Sequence, residues 1–307
     1  MTWELDAPAG VYRNHALSAD LRREAMYECL TLNFLRAESG FGKKRGDTIT
    51  ITRIMQLPVA GRVGEQDTLP SGRPAINTRS LTINAWGFKV TVTEFEEMLT
   101  SFDLNSQFQQ MLRDQISITM DLMATTALKK TSYTYTCMVG GGAFETNGTA
   151  AGTATANLAV ADLRVIRDQL RKNKAPYFRN GKYVAILSTR AARGLKNDPE
   201  YKDWIAPHTD APLASSMLQP DIEGFEVHES NNIYSYLDLL GASTVCGDGL
   251  FFGQDPGYTA IVHSPELRAG IPQELGTFRE IGWYGVMDAD ITWDQPTLSR
   301  VIKLASS

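Results

Sequence analysis

Residues 103–130 are DLNSQFQQMLRDQISITMDLMATTALKK, a run of 28 residues that contains neither glycine nor proline. As a single helix this run would be about 40 Å long at about 1.5 Å per residue, well above the usual length. Asp103 can accept hydrogen bonds from the first turn, and the charges of Lys129 and Lys130 suit the negative end of a helix. The sequence therefore predicts one long helix, called the spine helix below, around which the chain is arranged.

The apolar residues of the spine helix recur at spacings of three and four, which predicts one buried face. Arg113, Asp114 and Asp121 fall between them and are expected to face solvent. The predicted buried positions are Leu104, Phe108, Met111, Leu112, Ile116, Thr119, Leu122, Met123 and Ala127. Such a helix lies across another layer of the protein and is not one member of a bundle of equal helices.

Composition excludes several classes of protein. The 307 residues are 43% hydrophobic and 21% charged, which is ordinary for a folded domain. The 30 basic and 35 acidic side chains give a net charge of −5 and form no basic face, which argues against a sequence-reading nucleic-acid binder. No apolar run approaches the roughly 20 residues of a membrane span, and no signal peptide is predicted. Cys29, Cys137 and Cys246 are widely spaced and are expected to be reduced, intracellular thiols.

The chain before the spine helix predicts an arm, a helix and a long β-hairpin. Residues 1–17 are expected to be extended, and Ser18 begins a predicted helix that ends at Arg36. From Gly46 the apolar period changes to two, which predicts a strand to Val59 and a returning strand at 80–95.

The apolar positions of the returning strand change parity at Gly87, so a β-bulge is expected near Trp86 and Gly87. A two-stranded ribbon is marginally stable in water, and no neighbouring stretch of chain is available to cover this one. Its apolar face is therefore expected to lie on another copy of the protein.

The tip of the hairpin, residues 60–78, is longer than an ordinary hairpin loop, which is typical of a functional loop. This loop and the residue that follows it carry charges of both signs, which are the candidates for contacts between subunits. The candidate intersubunit residues are Arg62, Glu65, Asp67, Arg73 and Arg79.

The chain after the spine helix predicts a mixed layer of helices and strands. Residues 140–156 are rich in small residues, which indicates a flexible surface loop. A helix is expected from Asn157 to Asn173, then a buried strand at 183–187 and a helix capped by Ser188. A polar loop holding Trp204 should follow and extend to residue 220. Further strands are predicted at 224–228, 242–246, 250–263 with a break at 255–257, 278–293 and 298–304. The last two are expected to pair as a C-terminal hairpin.

No catalytic, cofactor or metal site is predicted. The four histidines, His15, His208, His228 and His263, are far apart in sequence. Asp288 and Asp290, with Asp294 beyond, alternate along a strand and are expected to share a solvated face, which is a simpler interpretation than a cation site. Cys246 lacks a basic neighbour and is interpreted as a structural thiol.

The order of arm, hairpin, spine helix and mixed domain resembles the major capsid proteins of tailed double-stranded-DNA phages, among them the coat proteins of short-tailed phages. The stretches that carry the resemblance are 112–117, 183–188, 195–198, 224–227 and 281–304. The resemblance implies an α+β protein with the fold named after phage Hong Kong 97. Its implied parts are an N-terminal arm and helix (1–45), an extended loop (46–96), a peripheral domain with the spine helix (97–158), an axial domain (159–262) and C-terminal strands that return to the peripheral domain (263–307).

The resemblance also implies the function. Copies of a structural protein without enzyme activity or cofactor would form hexamers and pentamers of an icosahedral capsid, enclosing double-stranded DNA without reading its sequence. The extended loop would lie over the peripheral domain and spine of a neighbouring subunit. The protein would be made in the cytoplasm of a host bacterium and reside in the virion. A separate scaffolding protein, a portal and a decoration protein are its expected partners, and no membrane is involved.

The sequence departs from the family's namesake in two ways. The namesake joins its subunits through a lysine on the extended loop, but Lys89 is the only lysine between Gly46 and Phe95 and is not at the tip. No such crosslink is expected, so boiled particles should give intact monomer bands. The namesake also carries an N-terminal scaffolding segment, whereas here the first helix is predicted near Ser18, which favours a separate scaffold.

Two alternatives remain open from the sequence. An encapsulin-type shell would share the fold and enclose cargo enzymes, and a groove for a cargo peptide would distinguish it. An intracellular hydrolase of mixed fold would instead be a compact monomer or dimer with a pocket.

Overall fold

The computed structural model describes most of the chain. The described residues are 29–38, 48–65, 68–69, 71–99, 104–205, 221–235, 248–270, 277–295 and 298–307. The predicted arm at 1–17, the start of the predicted helix at Ser18 and the predicted strand at 242–246 lie outside these residues. No helix in these ranges has the length and apolar character needed to cross a membrane.

The described residues contain both helices and strands, with runs of consecutive strands such as those within 48–93 and 249–305, as in an α+β protein. The helices are α1 (Glu94–Leu99), α2 (Leu104–Lys129), α3 (Val160–Lys172), α4 (Thr189–Asn197), α5 (Pro199–Ile205) and α6 (Asn232–Ser235). The strands are β1 (Arg36–Glu38), β2 (Thr48–Ile54), β3 (Ile76–Thr82), β4 (Asn84–Thr93), β5 (Thr134–Thr136), β6 (Ala143–Glu145), β7 (Tyr183–Leu187), β8 (Asp221–Ile222), β9 (Phe225–Glu229), β10 (Gly249–Phe252), β11 (Gly257–Ala269), β12 (Phe278–Ile291) and β13 (Val301–Ala305). They form sheets of four and seven strands and a two-stranded ribbon.

The predicted spine helix is confirmed as α2, although its burial differs between its two halves. In the first half one face packs on a sheet, and Met111, predicted to be buried, has 53% of its surface exposed. In the second half the helix is buried on nearly all sides, including Leu128 and Lys129. A second layer therefore covers the outer side of the helix near its C-terminal end.

The prediction that Asp121 faces solvent is wrong. Its carboxylate is fully buried and accepts hydrogen bonds from the backbone N–H of Thr31, at 2.8 Å, and from Nδ2 of Asn232, at 2.9 Å. Thr31 belongs to a short 3-10 helix at 31–34, and Asn232 begins α6. Periodicity within the spine helix could not reveal this, because the covering segments are distant in sequence.

The spine helix packs on a four-stranded sheet with the order β1-β11-β12-β4. Leu112, Met123 and Ala127 of the helix meet Trp283 and Met287 of β12 in one cluster. The predicted helix does not continue to Arg36, because its described part is a 3-10 helix at 31–34 that is followed by β1, which runs parallel to β11. Residues 36–38 pair with residues 258–260 of β11, which are distant in sequence, so local periodicity could not predict this edge strand.

The seven-stranded sheet has the order β6-β5-β13-β10-β7-β9-β8. Every residue of β7 is buried, as the apolar run 183–187 predicts. One face of the sheet packs against α3 through Leu163 and Ile166, and the other against Leu128 of the spine helix. This sheet and the end of the spine helix therefore share a continuous core.

The helices beside this sheet differ from prediction mainly at their ends. Ser188 caps α4 as predicted, since its Oγ accepts the N–H of Ala191 at 3.2 Å. α3 begins at Val160 and not at Asn157, because the Asp198 carboxylate accepts the Val160 N–H at 2.7 Å. The predicted polar loop is wrong at 199–205, where α5 contains Trp204.

Two other predictions after the spine helix need correction. The predicted C-terminal hairpin does not form, because β12 pairs with β11 and β4 whereas β13 lies between β5 and β10 in the other sheet. Residues 140–156 include strand β6, which pairs with β5, and the N–H of Thr155 donates to the Cys137 carbonyl at 3.1 Å. This segment is therefore tied to the sheet edge and is not simply a loose loop.

The predicted hairpin is present as a ribbon of β2 and β3. The stretch predicted as one returning strand forms two strands, the end of β3 and then β4. Ile83 alone separates β3 from β4, which joins the four-stranded sheet beside β12. The parity change thus reflects a change of sheet at Ile83 and not a bulge at Gly87, whose register with Tyr284 is continuous. Gly87 allows close strand approach, because a Cβ there would lie 2.8 Å from the Trp283 carbonyl oxygen.

Candidate intersubunit interface

The inner face of the ribbon (β2 and β3) is apolar near its attachment to the subunit. Ile49 and Ile51 of β2 and Leu81 of β3 share this face and pack with Tyr258 and Ala260 of β11. The prediction that the subunit cannot cover the ribbon is therefore wrong for this part. Residues distant in sequence supply the cover, which local pattern could not show.

A charged contact lies on the same face of the ribbon, two residues before Leu81 in β3. Arg79 binds Asp290 with two hydrogen bonds, Nε to Oδ2 at 2.5 Å and Nη2 to Oδ1 at 3.0 Å. Its Nη1 reaches Asp294 Oδ2 at 3.4 Å. Burial acts to lower the pKa of Arg79, but its hydrogen bonds and charge interaction with Asp290 outweigh burial and raise it. The prediction that Asp290 lies on a solvated face is wrong, because its side chain is almost fully buried by this contact.

A second arginine, Arg53 of β2, approaches the same segment of the subunit. Its Nη1 donates to the Thr292 carbonyl oxygen at 2.5 Å, and its guanidinium lies 5.5 Å from the centre of the Trp293 ring. Arg300 approaches that ring at 4.7 Å. Burial and the neighbouring charge of Arg79 lower the pKa of Arg53. Both strands of the ribbon are thus fixed to residues 290–294.

The tip of the hairpin beyond the ribbon is exposed. The last described backbone hydrogen bond between the two sides of the hairpin joins the Met55 N–H to the Ala75 carbonyl oxygen at 2.8 Å. The residues between them, 56–74, are called the distal loop. Val59 is 97% exposed, and Leu57, Val63 and Leu69 are also exposed. Several large apolar side chains on one segment are more than scattered surface residues, and such patches mark interaction sites.

The four predicted intersubunit residues that the structure describes fall into two groups. Arg62, Glu65 and Arg73 are exposed in the distal loop, where a neighbouring molecule could reach them. Asp67 lies outside the described residues. Arg79 is not in the distal loop, and its guanidinium is bound within its own subunit. Contact between these residues and another copy stays a prediction.

A second exposed apolar surface, missed from the sequence, lies where β4 meets α1. Phe95 and Met98 of α1 are 72% and 74% exposed. With Thr93, Glu94, Thr277 and Phe278 they line an open depression of about 450 Å³. The spacing of three between Phe95 and Met98 could have indicated a helix, but the strand prediction for 80–95 obscured it.

No metal-binding cluster of three or more His, Cys, Asp or Glu side chains occurs among the described residues. His228 and His263 lie in different sheets, and His15, His208 and Cys246 are outside the described residues. Cys137 is buried, and burial, with the nearby Asp162, raises the pKa of its thiol, which disfavours a nucleophilic thiolate.

Comparison with known proteins agrees with this architecture. The sequence model of the family described as phage capsid protein matches residues 77–297. A comparison with curated protein sequences gives no match. Among solved structures, a chain of the cyanophage Pam1 capsid asymmetric unit is similar at 14% identity with a TM-score of 0.71, covering 100% of this chain and 99% of that one.

Two further capsid structures are similar over nearly their whole length. The capsid of Helicobacter pylori bacteriophage KHP30 has 13% identity and a TM-score of 0.68, covering 97% of this chain and 96% of that one. The capsid of cyanophage P-SCSP1u has 12% identity and a TM-score of 0.66, covering 96% and 93%. These findings do not favour an encapsulin-type shell or a hydrolase. The chain belongs to the phage capsid protein family and is a structural coat protein of the virion with the Hong Kong 97-like α+β fold.

Proposed function

We propose that this protein closes an icosahedral shell around double-stranded DNA through contacts that its distal loop makes with a neighbouring copy. The observation that carries the proposal is the contrast along the hairpin. The inner face of the ribbon is packed on its own subunit, whereas Leu57, Val59 and Leu69 of the distal loop are exposed. Burying such side chains against a second copy stabilises the assembly by roughly 1.5–3 kcal/mol for each fully buried side chain.

The receiving surface is the depression formed by Phe95, Met98 and Phe278 of a second copy. Its apolar side chains match those of the distal loop in chemistry, and both surfaces are exposed in the single subunit. Arg62, Glu65 and Arg73 lie beside the apolar residues of the distal loop and form the polar rim of the contact. A polar rim around an apolar centre is the usual anatomy of a protein interface.

The division into domains follows the same proposal. The arm and helix (1–45), the extended loop (46–96), the peripheral domain (97–158), the axial domain (159–262) and the C-terminal strands (263–307) are the units that we propose. The axial domain converges at the centres of hexamers and pentamers, and the extended loop joins neighbouring subunits. The topology adds that β13 shares its sheet with β7, β9 and β10.

The remaining partners follow from this role. A separate scaffolding protein guides assembly, a portal occupies one vertex and a decoration protein binds outside. The DNA is held without sequence-specific contacts, which suits a subunit of net charge −5. Subunits are made in the cytoplasm of the host bacterium.

Electron microscopy and light scattering of the chain expressed alone test the proposal. Wild-type protein is expected to form closed shells, tubes or rings. Val59→Asp should leave folded subunits that do not assemble, because a charge would have to be buried at the contact. Val59→Thr, which keeps the shape of the side chain, is the matched control and should assemble.

A wild-type protein that stays monomeric, with the amides of the distal loop protected from hydrogen exchange, would contradict the proposal. Protection in a monomer would mean that the loop is covered by its own subunit.

A further inference from the structure

The ribbon is joined to its subunit by few backbone constraints. Its two strands pair only with each other in the described residues, and Ile83 alone links β3 to the four-stranded sheet. A single linking residue leaves the angle between ribbon and sheet open to rotation. Among the described residues, side-chain contacts therefore set the direction in which the distal loop leaves the subunit.

The apolar contacts of the ribbon do not fix a direction by themselves. Ile49, Ile51 and Leu81 gain from burial against Tyr258, but burial is non-directional and permits sliding. A bidentate arginine–carboxylate pair is different, because two parallel hydrogen bonds fix both position and orientation. Arg79 and Asp290 form such a pair between ribbon and subunit.

The subunit side of this pair is firmly held. Asp290 lies within β12 and is almost fully buried. Asp294 accepts the backbone N–H of Ser132 at 2.7 Å, which connects it to the chain just after the spine helix. The acidic partners of Arg79 are therefore positioned by the sheet and by the end of the spine helix.

We propose that the contact of Arg79 with Asp290 and Asp294, called the root clamp, fixes the angle of the extended loop and thereby the curvature of the shell. Arg79 is a positioning residue in this scheme, and its role is within the subunit. The proposal rests on the proposed function, since loop angle matters for curvature only if the distal loop joins neighbouring copies.

Arg53 contributes less to the root clamp than Arg79. Its Nε is buried without a hydrogen-bond partner in the described structure, as are Thr292 Oγ1 and Tyr258 OH. A partly satisfied arginine gives weaker orientation than a bidentate one. Substituting Arg53 should therefore affect the angle less than substituting Arg79.

The test compares Arg79→Gln and Arg79→Lys with a control in the same sheet. Arg79→Gln removes the charge, and Arg79→Lys keeps the charge but loses the fork geometry. The control is Lys89→Gln, which removes an exposed pair with Glu280, at 2.7 Å between Nζ and Oε1, within β4 and β12.

Hydrogen exchange of unassembled subunits is the first measurement. The amides of β2 and β3 should exchange about tenfold faster or more in Arg79→Gln, less so in Arg79→Lys, and at the wild-type rate in Lys89→Gln. The amides of β7 should not change, which shows that the subunit core is intact. Wild-type exchange in β2 and β3 of both Arg79 variants would overturn the proposal.

Electron microscopy of assembled particles is the second measurement. Arg79→Gln should give a broader distribution of diameters or incompletely closed shells, and Arg79→Lys a smaller broadening. Faster exchange with a wild-type distribution of diameters would overturn the link to curvature. The exchange measurement does not require assembly, so it separates a failure of the root clamp from a failure of the proposed function.

Discussion

The seven-stranded sheet and the extended loop differ in where they find their stabilising contacts. All of β7 is buried within one chain, whereas Val59 in the distal loop is 97% exposed. Both stretches are rich in apolar residues, so composition does not separate them. The difference teaches that similar composition can serve a buried core or an exposed surface, and our proposal assigns the exposed surface to assembly.

Polar groups show the same contrast. Asp248, which is fully buried beside the seven-stranded sheet, accepts hydrogen bonds from Arg190 Nη2 at 2.5 Å and from the Ser306 N–H at 3.0 Å. Arg62 and Arg73 of the distal loop are exposed. Polar groups in the sheet region thus stabilise one chain, while we propose that Arg62 and Arg73 of the distal loop meet another copy.

The largest effect is expected in the seven-stranded sheet. Phe251 is fully buried, and its ring meets that of Phe225 edge-on at 5.3 Å. Phe251→Ala should lower the free energy of unfolding by about 3–5 kcal/mol through lost contacts and a cavity. Urea unfolding of the unassembled subunit measures this change. Phe95→Ala, the same substitution at an exposed site, is the control and should change it by no more than about 0.5 kcal/mol. Equal effects would contradict the distinction between the two regions.

A pH-dependent effect of intermediate size is expected at the end of the spine helix. Lys129 is buried there and donates a hydrogen bond to the Ile233 carbonyl oxygen. Burial, with the neighbouring charge of Lys303 acting in the same direction, lowers its pKa from 10.5 to about 8. Between these pH values the unfolded chain binds more protons at Lys129 than the folded chain does. The free energy of unfolding should therefore rise with pH between about pH 8 and pH 10.5, by up to about 3 kcal/mol. Below about pH 8 the folded protein carries the full cost of the buried charge.

Urea unfolding of wild type and Lys129→Met at about pH 7.5 and about pH 10.5 checks this expectation. The stability of wild type relative to the variant should increase with pH, because only wild type loses the buried charge. A pH-independent difference would mean that Lys129 does not carry its charge into the core at neutral pH.

The smallest effect on stability, with a large effect on assembly, is expected in the distal loop. Arg73→Glu should change the free energy of unfolding by no more than about 0.5 kcal/mol, because Arg73 is exposed. Light scattering should nevertheless show weaker assembly, since in our proposal the reversed charge would face a neighbouring copy. Normal particles from this variant would count against a role for Arg73.

Features encoded by local pattern could be predicted from the sequence. The spine helix, the buried strand β7 and the Ser188 cap each depend on residues within a few turns or positions of one another. Pairing between distant strands could not be predicted in this way. The apolar run of β13 shows that it is buried, but not that its neighbours are β5 and β10.

For the candidate interface, too, the sequence could predict features that depend on local pattern but not contacts between distant residues. The exposed charges Arg62 and Arg73 follow from the composition of a long loop, and their predicted contacts with another copy remain to be tested. The buried setting of Asp290 could not be foreseen, because its partner Arg79 is more than two hundred positions earlier in the chain. Alternation along a strand identifies a shared face but not what covers it.

The central position of β13 has a consequence for synthesis on the ribosome. Residues 301–305 insert between β10 and β5, so the seven-stranded sheet cannot close until residue 305 has left the exit tunnel. Residues 48–82, which form the ribbon and the distal loop, emerge far earlier, but the β11 and β12 segments against which the ribbon packs emerge much later. Nascent chains on one messenger are therefore expected to remain separate until residue 305 of each chain has emerged, because the seven-stranded sheet can close only then.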